Sequence, residues 1–594
     1  METQEIRKGA AFLLEAIPAK EIFTPEDFTE EHKMIIDTTE RFVKNEVAPH
    51  IEKLEHKDFE LTRQLMLKAG ELGLLGADIE EKYGGAELNT VAHSLILECS
   101  AGSGSFGVTM SCHTGIGSMP LVFFGNKAQK EKYLPSLATG EKIGAYALTE
   151  PSAGTDALSI QTTAFLSPDG KYYTLNGAKQ FITNGGFADI IFTYAKIDGD
   201  KMTAFILEKE FEGVSTGVEE KKMGIRGSST CSIFLDNAKV PVENLLFEAG
   251  KGHLVAFNIL NLGRFALGPG CVGMAKLALD SSVKYAKERV QFGKPICQFG
   301  LIKHKLAEMA TRTYMAESMV YRTAGLMDEI LATVDKAADD AGRQNAKCIA
   351  QYAIESSIVK VYCSEMIAYV ADEAVQTYGG YGFVEDYPVE RIYRDCRIFR
   401  LFEGTNEINR LIILGFLMRK ALKDEIPFFS IAAKLTDELP TMEPICPGAD
   451  DGALAYEQKL VERAKKVFLF LSNGAAQKYG MALDEQQEVL GLLADTASEI
   501  YAMESGLLRA LKAIESSGEQ ESRTKIEMVR LYVSDAMARI GNYARQILAA
   551  TETGDALDRQ LSAVRKALQF TPTNGMQLRR SIADRLIEVE RYIC

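Results

Sequence analysis

Tyr172-Tyr-Thr-Leu-Asn-Gly-Ala-Lys-Gln-Phe-Ile-Thr183 decides the fold, because here a helical pattern gives way to a strand-like one. Its two ends, Tyr172–Leu175 and Gln180–Thr183, flank Asn176-Gly177, a dipeptide that accepts positive φ, so the stretch predicts a tight β-hairpin. Downstream, Ile190–Ile197 and Met202–Lys209 flank a second turn at Asp198-Gly199-Asp200, and Ser232-Ile-Phe-Leu235 adds another strand.

On either side the periodicity is helical. Upstream, Met34, Ile35, Thr38, Phe42, Val43 and Val47 recur at helical spacing, and Thr24-Pro25-Glu26-Asp27 has the form of a helix start. Downstream, long helical stretches cover roughly 254–289, 302–335 and 346–377, each long enough to be one member of a bundle. Pro427, Pro440, Pro444 and Pro447, beside Gly448 and Asp450-Asp451-Gly452, mark a linker, beyond which the chain reads as a second, separate helical unit. The predicted fold is therefore mainly α with a central β domain: a helical extension (1–25), an α domain (26–144), a β domain (145–250), an α bundle (251–420), a linker (421–452) and an extra helical domain (453–594).

Composition narrows the function. The chain is 46% hydrophobic and 25% charged, an ordinary folded composition, and its net charge of -15 offers no global positive field for a nucleic-acid backbone. The ten cysteines are scattered without a CxxC pair, as in a reducing compartment, and no histidine pattern predicts a metal site. No apolar run approaches ~20 residues and no targeting segment is evident, so the expectation is a cytoplasmic protein. The apolar cluster within 424–446, with Ile426, Phe428, Phe429 and Ile431, reads as an interdomain or dimer contact, with at most weak membrane contact.

Several tempting signals lack context. Gly102-Ser-Gly-Ser-Phe-Gly107 matches a dinucleotide fingerprint literally, but a helical segment precedes it and no acid follows about 20 residues on. Cys112-His113 lacks an orienting third group and reads as buried or lining. Three other segments carry chemistry in combination. Tyr146-Ala-Leu-Thr-Glu-Pro-Ser-Ala-Gly-Thr-Asp156 is a loop of small and hydroxylated residues, and Lys179-Gln-Phe-Ile-Thr-Asn-Gly-Gly186 ends a strand at a Gly-Gly turn. In Phe399–Leu414, Glu403 stands between Phe402 and Gly404 just before Thr405, which can cap a helix starting near Asn406. A carboxylate among apolar residues suits a general base tuned by burial, although on spacing alone a helix-start acid is the simpler reading.

Together and in this order, these segments resemble the acyl-CoA dehydrogenase family. Tyr146–Asp156 is similar to its "TEPxAGSD" segment, Phe181–Gly185 to "WITNG", Glu288–Gly293 to "ER…FG", Gln376–Gly380 to "Q…GG" and Phe402–Glu407 to the "EGT" stretch. The resemblance covers about residues 26–415, and the helices beyond are similar to the very-long-chain branch, which is dimeric and binds inner membranes, where most of the family is tetrameric.

The resemblance implies an FAD enzyme that oxidises a fatty acyl-CoA to the trans-2-enoyl-CoA. Glu403 would remove a Cα proton while Cβ delivers hydride to flavin N5, and an electron-transfer flavoprotein would take the electrons. Tyr146, Thr149, Thr155, Phe181, Ile182 and Thr183 would contact FAD, with Thr405, Asn406 and Glu407 on its adenosine side. Arg289, Gln291, Phe292, Gln376, Gly379 and Gly380 would reach the FAD of a neighbouring subunit in a homodimer or homotetramer. Thr155, Asn261, Arg264, Phe402 and Gly404 would meet substrate. Where some relatives place the base on an earlier helix, this chain has Gly263, which leaves Glu403. Phe181 replaces the family's usual Trp, and Gly117 fits the small residues that keep an acyl tunnel deep, whereas Pro120 departs from them. An acyl-CoA oxidase and a non-catalytic assembly protein of the same fold stay open as alternatives.

Overall fold

A computed structural model describes residues 7–448 and 452–594; Asp450 and Asp451 of the expected linker and the first six residues of the expected leader lie outside them. Helices α1 (Glu30–Phe42), α2 (Ile51–Glu55), α3 (Phe59–Glu71), α4 (Thr90–Cys99), α5 (Ser105–Thr114), α6 (Met119–Phe124) and α7 (Lys127–Ala138) lead into the sheet. The helix-start signal at Thr24 caps only a 3-10 turn, Pro25–Asp27, and α1 starts after its own capping box of Thr29 and His32. The leader itself is not an α-helix. From Arg7 it runs as short 3-10 turns strapped to the bundle, with Ala10 N–H on Glu355 Oε1 at 2.6 Å and Gly9 pressed so close to the Gln351 carbonyl that a Cβ would clash.

The strands are β1 (Gly144–Ala147), β2 (Thr163–Leu166), β3 (Tyr172–Thr183), β4 (Ile190–Ile197), β5 (Lys201–Glu208), β6 (Val214–Thr216), β7 (Thr230–Pro241) and β8 (Leu245–Leu246). They form one sheet in the order β6-β7-β3-β2-β4-β5-β8, with β1 parallel to β4. The sheet encloses a core of its own. Alternate residues of β4 and β5 face in opposite directions: Ile191, Ala195, Phe205 and Leu207 fill that core, while Ile190, Phe192, Ala204 and Ile206 join the helical core. The hairpin at Asp198-Gly199 forms as expected, with φ of 50° and 87° at those residues.

The hairpin expected at Asn176-Gly177 does not form. β3 runs straight through as a twelve-residue strand paired with β7, and the register slips at Gly177, where a Cβ would stand 2.3 Å from Thr162 Oγ1. The glycine permits close approach of β2 rather than reversal of the chain. A second slip between Lys179 and Ile182 coincides with Phe181, whose φ of 59° turns the ring out to 59% exposure.

After the sheet come α8 (Gly252–Glu288), the short ribbon β9 (Val290–Gln291) and β10 (Lys294–Pro295), and helices α9 (Gly300–Leu331), α10 (Ala341–Ala350), α11 (Ala353–Tyr378), α12 (Pro388–Cys396) and α13 (Asn406–Leu422). By hydropathy α8 is long and apolar enough to span a membrane, contrary to the count of uninterrupted apolar residues; 56% of that window is buried inside the molecule. It packs against α9, α11 and α4.

The remaining helices are α14 (Phe428–Glu438), α15 (Ala455–Tyr479), α16 (Gln487–Glu521), α17 (Arg523–Thr551), α18 (Gly554–Ala567) and α19 (Gly575–Val589). They are not separate from the bundle. One apolar cluster runs from Ala10 to Tyr592 without a break, and α16 and α19 lie on α9. Within the expected linker, Ile426, Phe428, Ala432 and Leu435 are buried, and α14 packs on α15, so the apolar cluster of 424–446 faces inward.

Candidate active site

Glu403 sits in the loop between a 3-10 turn, Arg397–Arg400, and α13. Thr405 caps α13 by accepting from Ile408 N–H at 3.3 Å. The two residues before the cap are both left-handed, with φ of 55° at Glu403 and 79° at Gly404. For a non-glycine residue this costs on the order of 1–2 kcal/mol, so the surroundings must hold it. Asn409 Nδ2 reaches the Gly404 and Thr405 carbonyls at 2.9 and 3.0 Å, and Lys360 Nζ reaches Gly404 O at 2.8 Å and Asn406 Oδ1 at 2.7 Å.

The side chain turns back onto α8 at Gly263. A Cβ on Gly263 would lie 2.5 Å from Glu403 Oε2, so the helix leaves this space for the carboxyl. Glu403 Oε2 is buried and has no hydrogen-bond partner. Burial pushes the carboxyl up to about 7, against the opposing pull of the Arg264 and Lys360 charges. Arg264, itself buried, donates to Asn261 Oδ1 at 2.8 Å.

Beside the carboxyl lies a cavity of about 160 Å³. Phe399 and Phe402, stacked 5.6 Å apart, form one wall with Glu403, and Gly263, Leu267, Gly270 and Met274 of α8 form another. Gly117 and Pro120, the two residues weighed for the depth of an acyl tunnel, do not line the cavity, whereas Ser111, Cys112, Gly115 and Ile116 just before them do. Gly117 instead abuts Gly144 at the start of β1, where neither residue has room for a Cβ. Gly104 and Gly107 of the discounted fingerprint are lining residues too, small where the cavity passes α5. His113 is structural: its Nδ1 accepts from Gly144 N–H at 3.0 Å, and burial lowers its pKa to about 4.

Thr183, at the end of β3, completes the cavity wall. The two loops expected to contact a cofactor are clamped together by a pair that sequence reading passed over. Lys179 is fully buried and donates to Glu150 at 2.6 Å and to the Tyr194 carbonyl at 2.7 Å, while Thr149 O accepts from Gln180 N–H at 2.8 Å. A lysine within the β stretch, with a glutamate in the preceding loop, was the available signal. Thr155 and the Phe181 ring are exposed, whereas the Ile182 side chain is buried in the sheet core. Tyr146 is buried 5.4 Å from Tyr194, near enough to Glu403 and Arg264 for their charges to act on its hydroxyl. Asn406 is buried beneath the loop and Glu407 is exposed.

The remaining expected residues lie apart. Arg289, Gln291, Gly379 and Gly380 line an open groove of about 510 Å³ that shares no lining residue with the cavity. Gln376 is exposed, and Phe292 is 93% exposed at the groove's ribbon with φ of 52°. The cavity and the groove are thus separate concavities of one chain.

Family profiles match in order: the acyl-CoA dehydrogenase N-terminal domain over 29–141, the middle domain over 145–238, a C-terminal domain over 250–418 and a further C-terminal domain over 463–566. The chain is 50% identical over 588 residues to a probable acyl-CoA dehydrogenase of Bacillus subtilis, covering 99% of both chains. It is 37% identical over 529 residues to the human mitochondrial very long-chain specific acyl-CoA dehydrogenase, covering 84% of this chain and 77% of that protein. A crystal structure of an acyl-CoA dehydrogenase complexed with FAD from Bacillus anthracis superposes with a TM-score of 0.97 at 51% identity, covering 99% of this chain and 100% of that one.

Proposed function

The chain belongs to the acyl-CoA dehydrogenase family, and from that premise we propose that it converts a fatty acyl-CoA to the trans-2-enoyl-CoA with Glu403 as the base for the Cα proton. The observation that carries this reading is the unpartnered Glu403 Oε2, buried at the wall of a cavity lined mainly by apolar and small residues. A Cα proton next to a thioester is a weak acid, and a carboxylate whose pKa lies near 7 accepts it more readily than one near 4. Phe399, Phe402 and α8 wall the cavity with mostly apolar groups, which leaves little to hold water beside the carboxyl.

FAD is the cofactor, and it supplies the acceptor for the hydride that leaves Cβ. The residues present fit it: Phe181 presents an exposed ring two residues before Thr183 of the cavity wall, Thr155 offers an exposed hydroxyl, and the Arg289 groove offers a guanidinium for a pyrophosphate. Because the cavity and the groove share no wall, the proposed assembly is a homodimer or larger in which Arg289, Gln291, Gln376, Gly379 and Gly380 serve a neighbouring subunit. Electrons would leave to an electron-transfer flavoprotein, with the enzyme working in the cytoplasm on β-oxidation. The test is anaerobic titration of purified enzyme with palmitoyl-, octanoyl- and isovaleryl-CoA while following flavin absorbance. Bleaching by one chain-length class is expected; a flavin that none of them bleaches would overturn the reading.

A further inference from the structure

Five charges of alternating sign run from the catalytic loop into the C-terminal helices: Glu403, Lys360, Glu365, Arg410 and Asp495. Lys360 is fully buried on α11 and faces Glu403, Glu365 and the Gly404 carbonyl. Asn406 bridges the next step, accepting from Lys360 at 2.7 Å and donating to Glu365 Oε1 at 3.0 Å. Glu365 is gripped by Arg410 of α13 at 2.9 and 3.0 Å. Arg410 Nε in turn donates to Asp495 Oδ1 of α16 at 2.7 Å.

The charges alternate along the row, and its outer members pair directly, Glu365 with Arg410 and Arg410 with Asp495. Lys360 has a carboxylate on either side, yet burial outweighs both and lowers its pKa to about 8, so its hydrogen bonds to the Gly404 carbonyl and Asn406 are what fix it in place. Glu365 is itself shared between Asn406 and Arg410, so its position depends on where Arg410 is anchored, and Arg410 is anchored on the far side by Asp495. At the near end, the same Lys360 and Asn406 hold a loop with two consecutive left-handed residues. Such a loop relaxes when its carbonyl partners are loosened, and a base displaced by about 1 Å loses on the order of 10²-fold in rate.

We propose that the C-terminal helical unit sets the geometry of the catalytic loop through Asp495 and Arg410, which act as positioning residues for Glu403. The inference rests on Glu403 being the base. It assigns the added helices a role in the reaction beyond covering apolar surface: they close the charge row from the side away from substrate.

The experiment compares Asp495→Ala, Asp495→Glu and Lys525→Ala in the full-length holoenzyme. Lys525 joins the same unit to Glu26, in the Pro25–Asp27 turn before α1, at 2.6 Å and takes no part in the charge row, so it reports on docking alone. Asp495→Ala is expected to slow flavin reduction at saturating acyl-CoA by about tenfold or more, with KM and flavin content within about twofold. Asp495→Glu is expected to recover most of the rate, and Lys525→Ala to keep it. Hydrogen exchange provides a readout independent of substrate: amides of 403–409 should exchange about tenfold faster in Asp495→Ala and at the wild-type rate in Lys525→Ala. Wild-type rate and exchange in Asp495→Ala, or an equal loss in Lys525→Ala, would overturn the proposal. A wild-type flavin that no acyl-CoA bleaches would fell the dehydrogenase reading alone, and the exchange comparison would still decide this one.

Discussion

At the scale of single residues, the proposed base works because its neighbours leave it poorly solvated. A carboxyl whose folded pKa is about 7 against an ordinary 4.5 destabilises the folded state when ionised, by about 3 kcal/mol above pH 7. The sign follows from the raised value: the penalty is absent well below pH 4.5, where both states are protonated, builds as pH rises from 4.5 to about 7 and is constant above that. Glu403→Gln should therefore raise the melting temperature at pH 8 and leave it nearly unchanged near pH 4.5, which thermal unfolding at the two pH values checks. Activity runs the other way, since the base must be ionised: kcat/KM should fall as pH drops below about 7. Gly263 is the complementary test. Alanine there is intrinsically better in a helix by about 1 kcal/mol, yet its methyl would occupy the carboxyl's space. Gly263→Ala is expected to fold with flavin bound and to reduce that flavin at least about a hundredfold more slowly.

At the scale of elements, α8 forms the cavity wall on which the proposed chain-length preference would depend. Gly268 and Gly273 have packing reasons, one against Val359 and Val320 and the other against the Glu98 carbonyl. Gly270 has none: a Cβ there would meet nothing within 4 Å, and the residue lines the cavity. A helix-interior glycine in open space costs about 1 kcal/mol relative to alanine without a compensating contact, which points to the cavity as its purpose. Gly270→Leu should abolish turnover of the longest acyl-CoA accepted and spare a shorter one, read as a shift in relative kcat/KM across chain lengths; an unchanged profile would show that the α8 wall does not limit the chain. The long helices and the Asp198-Gly199 hairpin were legible because their signals are local. Asn176-Gly177 misled because the same dipeptide that permits a turn also permits a bulge, and only the pairing of β3 with β2 and β7 decides between them. The Phe181 bulge, which turns that ring outward, and the Glu150–Lys179 clamp were invisible for the same reason: each depends on partners distant in the sequence.

At the scale of the whole molecule, charge is buried where the leader, the bundle and the C-terminal helices meet. Arg509 of α16 is fully buried between Glu317 of α9, at 2.5 Å, and Glu26 of the turn before α1, at 3.0 Å. Arg322 and Lys465 share Glu504 nearby. Without Arg509, Glu317 keeps Lys276 and the Tyr592 hydroxyl and Glu26 keeps Lys525, so Arg509→Ala should lower stability by roughly 1–3 kcal/mol, the range for lost hydrogen bonds to charged groups, measured by denaturant unfolding. The sequence pattern marked the C-terminal helices as a separate unit because prolines set them off, but an apolar face does not say what it packs against. The motif segments were legible as a resemblance, and the chain places them in two groups, around Glu403 and around the Arg289 groove, that share no wall.

The most direct test of the central claim is the anaerobic titration repeated with Glu403→Gln at pH 8, beside wild type, using the acyl-CoA that bleaches wild type best. The amide keeps the shape of the side chain and loses proton acceptance. Glu403→Gln is expected to bind the thioester, seen as a shift of the flavin spectrum, without bleaching. Bleaching at the wild-type rate would contradict the assignment of Glu403 as the base.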